Sequence, residues 1–109
     1  MAQSGRMFLV ECYMPGIAER DVAAASERAR RVAEAFRADG RDVAYLGALF
    51  VAADEAVYHQ FHASDASVVV DASRRAGLSF ERVVESIGVN GERGSIESGP
   101  APAAPLYQD

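Results

Sequence analysis

A chain of 109 residues, half of them hydrophobic, is of the size expected for one domain with a modest core. Its formal net charge of −5 argues against nucleic-acid binding, since a phosphate-binding surface normally needs a basic excess. The single cysteine excludes an intrachain disulfide. The polar start is too short for a signal peptide, and no apolar run approaches the roughly 20 residues that span a bilayer. We therefore expect a cytoplasmic protein that binds neither nucleic acid nor membrane.

The first predicted element is a strand over residues 8–14, after a disordered lead-in over residues 1–6. Successive side chains of a strand point to opposite faces. One set is wholly apolar: Phe8, Val10, Cys12 and Met14. The other is mixed: Met7, Leu9, Glu11 and Tyr13. The strand is expected to end at Pro15, which cannot donate to a ladder, and Gly16, which tolerates a turn.

A long helix is predicted over residues 19–39, with Gly40 after its end. Its apolar residues recur at helical spacing and form one stripe: Val22, Ala25, Ala29, Val32, Ala33 and Phe36. Its arginines mostly lie off that stripe, and we expect them to form a solvated face paired with Glu27 and Glu34: Arg28, Arg30, Arg31 and Arg37. An acidic partner for this face is the alternative.

Two strands follow, over residues 42–51 and 56–63, joined by a hairpin loop over residues 52–55. If that loop holds four residues, Val51 pairs with Ala56. The buried face would then carry Leu46, Ala48, Phe50, Val57, His59 and Phe61. The open face would carry Tyr45, Gly47, Leu49, Tyr58, Gln60 and His62. A change of one residue in the loop would swap the faces of the second of these strands.

A second helix over residues 65–76, with Ser64 as N-cap, is followed by Gly77 and by a strand over residues 82–89. Residues 90–109 lack periodicity and are expected to be a disordered tail. The order β-α-β-β-α-β is that of the ferredoxin-like fold, an α+β domain over residues 7–89 with two helices on one face of a four-stranded antiparallel sheet.

The other face of the predicted sheet has no covering element. It would carry an apolar and aromatic set that is too large to leave in water: Met7, Leu9, Tyr13, Tyr45, Leu49 and Tyr58. A homodimer that packs sheet against sheet, with a cavity between the sheets, is the simplest way to cover it.

Three stretches of the chain carry a family resemblance: FLVECYMPG (8–16), DVAYLGALFV (42–51) and RAGLSFERVVE (75–85). Together they resemble a family of small bacterial ferredoxin-like proteins, known as a domain of unknown function, that includes a nickel-binding protein. The resemblance covers residues 7–89 and implies a ferredoxin-like dimer.

The resemblance also implies nickel or another transition metal as a cofactor. It places the histidines of the nickel-binding member where this chain has Cys12, near Ser26, and at Ala76. A cysteine can ligate nickel, but one thiol in place of several imidazoles is a different site. Cys12 and His62 are the candidate metal ligands of this chain.

The chain has only two histidines, His59 and His62. An odd separation on a strand sends them to opposite faces, so they cannot easily share one ion within a subunit. We expect His59 to be a hydrogen-bonded core residue. His62 projects to the open face and suits acid–base chemistry or ligation. Cys12 is expected to be a small buried hydrophobe, with a reactive or ligating thiol as the alternative.

The open face could gather a set of polar groups on an apolar floor: Glu11, Tyr13, Tyr45, Tyr58, Gln60, His62 and Glu85. Such a set suits a small-ligand pocket, and we expect a binding protein rather than an enzyme. The alternative is a cofactor-independent acid–base enzyme or oxygenase in which His62 and Glu11 transfer protons, by analogy with other dimeric ferredoxin-like proteins. A purely structural dimer is the third possibility.

Overall fold

The computed structural model describes residues 5–89. The expected disordered tail over residues 90–109, and most of the expected lead-in, lie outside the described residues. The elements in chain order are β1 (Arg6–Tyr13), α1 (Glu19–Ala38), β2 (Val43–Val51), β3 (Ala56–Ala63), α2 (Ala66–Arg75) and β4 (Arg82–Ser86). A short 3₁₀ helix (Ala52–Asp54) lies between β2 and β3.

The four strands form one sheet in the order β2-β3-β1-β4, and every neighbouring pair is antiparallel. The buried side chains of the strands and of both helices form a single core on one side of this sheet. This confirms the predicted ferredoxin-like arrangement. The β2–β3 loop holds four residues, because Val51 pairs with Ala56 as predicted. Glu55, the last loop residue, closes the turn in the left-handed region at φ 52°.

The core lies between the sheet and the helices, as the period-two and helical patterns predict. Phe8, Val10 and Cys12 are buried on β1, and Val57, His59 and Phe61 are buried on β3. The stripe on α1 is buried too, apart from the half-buried Val32. Neither helix within residues 5–89 is long and apolar enough to cross a membrane.

A β-bulge in β2 overturns part of the predicted register. The pairing shifts between Tyr45 and Gly47, so that Tyr45 lies opposite Phe61 and Gly47 opposite Gln60. An extra residue in one strand reverses the faces on one side of the bulge. Tyr45 therefore points to the helices, whereas Leu46 is 50% exposed. The prediction that Tyr45 lies on the open face and Leu46 on the buried face was wrong.

The last strand also differs from its prediction. It ends at Ser86 rather than at residue 89, and it pairs with β1 so that Glu85 lies opposite Phe8. Because Phe8 is buried under the helices, Glu85 belongs to the edge of the helix-covered face, where Arg6 donates two hydrogen bonds to it, at 3.0 and 3.1 Å. The prediction that Glu85 joins the open face was therefore wrong.

The second helix is capped one residue later than expected. The Asp65 carboxylate, not the Ser64 hydroxyl, accepts a hydrogen bond from the backbone N–H of Val68 at 3.2 Å. The prediction of Ser64 as the N-cap was wrong, because the aspartate beside it is as good an N-cap as a serine.

Candidate functional site

The open face is the side of the sheet that the helices leave uncovered. It is formed by alternate residues of the four strands: Met7, Leu9, Glu11, Tyr13, Ala44, Gly47, Leu49, Val51, Ala56, Tyr58, Gln60, His62, Arg82, Val84 and Ser86. No other element within residues 5–89 packs on it. Tyr13 is 56% exposed and Leu49 is 61% exposed, while Met7, Leu9, Tyr58 and Val84 are half-buried by their neighbours in the sheet.

The middle of the open face holds one ion pair and two uncommitted polar groups. The Arg82 guanidinium donates a hydrogen bond to the Glu11 carboxylate at 2.9 Å across the β1–β4 pair. Tyr58 lies directly opposite Glu11, and Gln60 lies opposite Leu9. Within the part of the chain described here, neither the Tyr58 hydroxyl nor the Gln60 amide makes a side-chain hydrogen bond, so both are available to a ligand.

His62 lies at one end of the open face, opposite Met7. Its ring occupies space that the glycine at position 5 leaves free, since a Cβ added to Gly5 would lie 2.9 Å from Cε1 of the imidazole. No described residue forms a hydrogen bond with this ring, so both of its nitrogens are available.

Glu11 and His62, the candidate proton-transfer pair, are on the same face but not within reach of each other. The residue opposite His62 is Met7, four positions before Glu11, so the two are separated by about 13 Å at the rise of a strand. A shared proton requires about 3 Å between heavy atoms, or one bridging water. A single chain therefore does not place these two groups on one shared proton.

A second polar cluster lies on the helix-covered face. The Tyr45 hydroxyl is 2.8 Å from Nδ1 of His59 and 2.8 Å from Oγ of Ser26 on α1. We call these three residues the buried triad. The bulge in β2 creates it by turning Tyr45 toward the helices. Sequence reasoning predicted the hydrogen-bonded core position of His59 but missed the triad, because nothing in residues 42–51 marks the bulge except Gly47, which adopts φ 134°.

Burial favours the uncharged forms of the two titratable groups in this cluster, His59 and Tyr45. His59 is 1% exposed, and desolvation, assisted by the positive charge of Arg28, lowers its pKa to about 4. Desolvation also raises the pKa of Tyr45. The triad therefore consists of uncharged hydrogen-bonding groups at neutral pH, with His59 as a neutral imidazole.

Cys12 lies on the same side of the sheet as the triad and is buried as expected. Desolvation, with a smaller contribution from the negative charge of Glu81, raises the pKa of its thiol to about 11. A thiol with such a pKa is almost wholly protonated at pH 7, and the thiolate is the form that attacks or ligates. Cys12 and His62 lie on opposite faces of the sheet, so these candidate metal ligands do not come together within a single chain.

The positions that the resemblance implies for nickel ligands are Cys12, Ser26 and Ala76. Within residues 5–89, no group of three or more histidine, cysteine or acidic side chains is placed to hold one metal ion. The Ser26 hydroxyl is bonded to Tyr45, and Ala76 has no donor atom in its side chain. The described residues of a single chain do not fit a nickel site of that kind.

Comparison with known proteins supports the fold alone. The chain matches no model of a known protein family, and no curated protein matches it in sequence. It is similar to the crystal structure of SCO4226 from Streptomyces coelicolor A3(2), with a TM-score of 0.65 and 19% sequence identity over 77% of this chain and 99% of that one. At this identity the likeness establishes a shared ferredoxin-like α+β architecture and no shared activity.

Proposed function

We propose that this protein is a non-enzymatic binding protein that works as a homodimer and encloses a small ligand between the open faces of its two sheets. One observation carries the proposal. The open face combines exposed apolar side chains with polar groups that have no partner among the described residues, whereas the polar side chains of the buried triad on the opposite face are all hydrogen-bonded.

The apolar part of the open face supports the dimer. Exposed apolar patches on small domains mark interaction surfaces, and a two-fold dimer brings the same face of both copies together. Complete burial of a leucine stabilises by about 1.5 to 3 kcal/mol. Leu49 is 61% exposed, so covering it in a dimer would contribute more than half of this free energy in each subunit.

The polar part supports a ligand. A small-molecule site needs an apolar floor with a few convergent hydrogen-bonding groups. Leu9 and Val84 supply the floor, and Tyr58, Gln60 and His62 supply a hydroxyl, an amide and an imidazole. An uncharged or weakly polar organic molecule fits this set, because the one carboxylate, Glu11, is already paired with Arg82.

A transition metal is the alternative ligand that the family resemblance implies. Since one subunit gathers no three-ligand cluster within residues 5–89, a metal would need donors from both subunits. His62 is the donor that the open face offers for this purpose.

The dimer is tested by light scattering of the full chain at tens of micromolar. We expect a mass of about twice the 11.6 kDa of one chain. Leu49→Glu, which places a charge in the proposed interface, should give a monomer, whereas Ala24→Glu on the exposed side of α1 should leave the dimer intact. A wild-type protein that stays monomeric would remove the basis of the proposal.

The ligand is tested by thermal unfolding of the tag-free dimer and by mass spectrometry of small molecules released when the protein is denatured. Ni²⁺, Zn²⁺, Cu²⁺ and Co²⁺ are added separately to the wild type, to His62→Ala and to Cys12→Ser. An ion at a hundred times its dissociation constant stabilises by about 2.7 kcal/mol, a shift of several degrees.

The outcomes separate the two kinds of ligand. A shift that His62→Ala abolishes and Cys12→Ser preserves would identify the open face as a metal site. No shift with any ion, together with a released organic molecule that Gln60→Ala no longer retains, is the result we expect. A dimer that binds neither a metal ion nor an organic molecule would favour a purely structural role for the dimer.

A further inference from the structure

A groove in the helix layer, on the far side of the molecule from the open face, forms a second candidate site. It lies between the C-terminal half of α1 and the last turns of α2. It consists of two adjoining depressions, both open to solvent, of about 310 and 440 Å³ that share Phe36, Arg41 and Arg75 in their walls. We call it the arginine groove. Both volumes fall within the usual size range of small-molecule sites.

The charge of the arginine groove is opposite to that of the chain. Four arginines line it: Arg31, Arg41, Arg74 and Arg75. Among residues 5–89, only two acidic side chains do so, Asp39 and Asp71, although the chain as a whole carries a formal charge of −5. Such a local basic excess attracts anions and raises their concentration at the site.

Two of the four arginines already form an ion pair with an acidic side chain of this chain. Arg31 donates to Glu27 at 3.2 Å, and Arg41 donates to Asp71 at 2.8 Å. Arg74 and Arg75 are exposed and form no ion pair with any residue between 5 and 89. The two residues lie in the last turn of α2, and the side chains of both line the larger depression. Among the described residues they are the unpaired cations of the groove.

The floor of the groove is apolar. Phe36 is 8% exposed, and Val32 and Ala35 extend the apolar surface along α1. The Arg41 guanidinium lies over the Phe36 ring, 4.6 Å from its centroid, and its bond to Asp71 holds it there. The Arg41 guanidinium therefore forms a planar wall above the floor.

We propose that the arginine groove binds a small organic oxyanion, with Arg74 and Arg75 holding its charged end and Val32 and Ala35 contacting its apolar body. Guanidinium groups match the geometry of phosphate and carboxylate oxygens and form charge-assisted hydrogen bonds with them. The apolar floor discriminates against an anion that lacks a body to cover it. This site is independent of the open face.

The test is an NMR titration of the full chain, at constant ionic strength, with phenyl phosphate, benzoate and inorganic phosphate. We expect saturable shifts of the backbone amides around Phe36, Asp39 and Arg75. Phenyl phosphate should bind about tenfold more tightly than inorganic phosphate, since contact with a small apolar body is worth at least the free energy of one decade in affinity. The benzoate titration tells a carboxylate ligand from a phosphate ligand. Shifts confined to the strands, or no saturation with any of the three anions, would overturn the proposal.

A pair of double variants with the same change in charge separates specific binding from general attraction. Arg74→Ala with Arg75→Ala should weaken phenyl phosphate binding about tenfold or more, because two charge-assisted hydrogen bonds are lost. Arg20→Ala with Arg37→Ala removes two exposed arginines of α1 that do not line the groove, and it should change the affinity less than twofold. Equal losses in both double variants would mean that only net charge matters, and would contradict the proposal.

Discussion

The two faces of β3 carry similar side chains that differ in burial and in hydrogen bonding. His59 and His62 lie three residues apart, and so do Phe61 and Tyr58. On the helix-covered face, His59 is buried and its Nδ1 is bonded to Tyr45. On the open face, His62 and Tyr58 are half-buried, and their side chains form no hydrogen bond within residues 5–89. The polar groups of the buried triad are satisfied inside the chain, although the buried Ser73 hydroxyl on α2 has no partner among the described residues. The groups without partners on the open face differ from Ser73 because they are accessible to something outside the chain.

The largest expected contrast is between two neighbours on β3, Phe61 and Gln60. Phe61→Ala removes a fully buried ring and should lower the free energy of unfolding by about 3 to 5 kcal/mol, because it leaves a cavity. Gln60→Ala, on the open face, should change the free energy of unfolding by less than about 1 kcal/mol. Urea unfolding of both variants at one protein concentration measures the difference. Similar losses of unfolding free energy in the two variants would mean that the open face is as well packed as the core. That result would contradict the difference between the two faces of β3.

The next contrast concerns acid sensitivity. The pKa of His59 falls from 6.5 to about 4 on folding, so below pH 6.5 the unfolded chain binds a proton that the folded chain does not. The unfolded state then gains stability relative to the folded one, and the contribution of His59 to stability, complete above pH 6.5, is lost as the pH falls toward 4. The loss approaches about 3 kcal/mol.

The measurement is the free energy of unfolding in urea at several values between pH 7 and pH 4, for the wild type and for His59→Gln. Carboxylates titrate in the same range in both proteins, so the difference between the two curves isolates the imidazole. We expect the wild type to lose more stability than the variant over this range. Parallel curves would show that His59 is not held neutral by the fold.

The sequence predicted the fold well because the fold depends on patterns that are read locally. The alternation in Phe8, Val10 and Cys12, the stripe on α1 and the four-residue loop before Ala56 each specify an element or a register without reference to the rest of the chain. The expectation that Arg30 and Arg31 pair with neighbouring glutamates is also confirmed.

The candidate sites were harder to predict because they depend on single-residue shifts and on packing between distant elements. One extra residue in β2 moved Tyr45 from the open face into the buried triad. The pairing of β4 placed Glu85 at the wrong side of the sheet for a shared pocket. The arginine groove joins residues near 36 with residues near 75, and no periodicity within either helix indicates that these two turns meet.

The smallest contrast compares two hydroxyl groups. Tyr45→Phe leaves His59 and Ser26 without the hydroxyl that joins them, and buried groups without partners cost about 1 to 3 kcal/mol. Tyr58→Phe removes a hydroxyl with no hydrogen bond among the described residues, and should change the free energy of unfolding by less than about 0.5 kcal/mol. Both substitutions keep the ring, so urea unfolding of the two variants compares the hydroxyls alone.

A large loss of unfolding free energy at Tyr58 that disappears in the monomeric Leu49→Glu background would mean that this hydroxyl forms a hydrogen bond across the dimer. The open face would then be an interface with satisfied polar groups rather than a ligand site. A large cost that remains in the monomer would contradict the contrast between the two faces altogether.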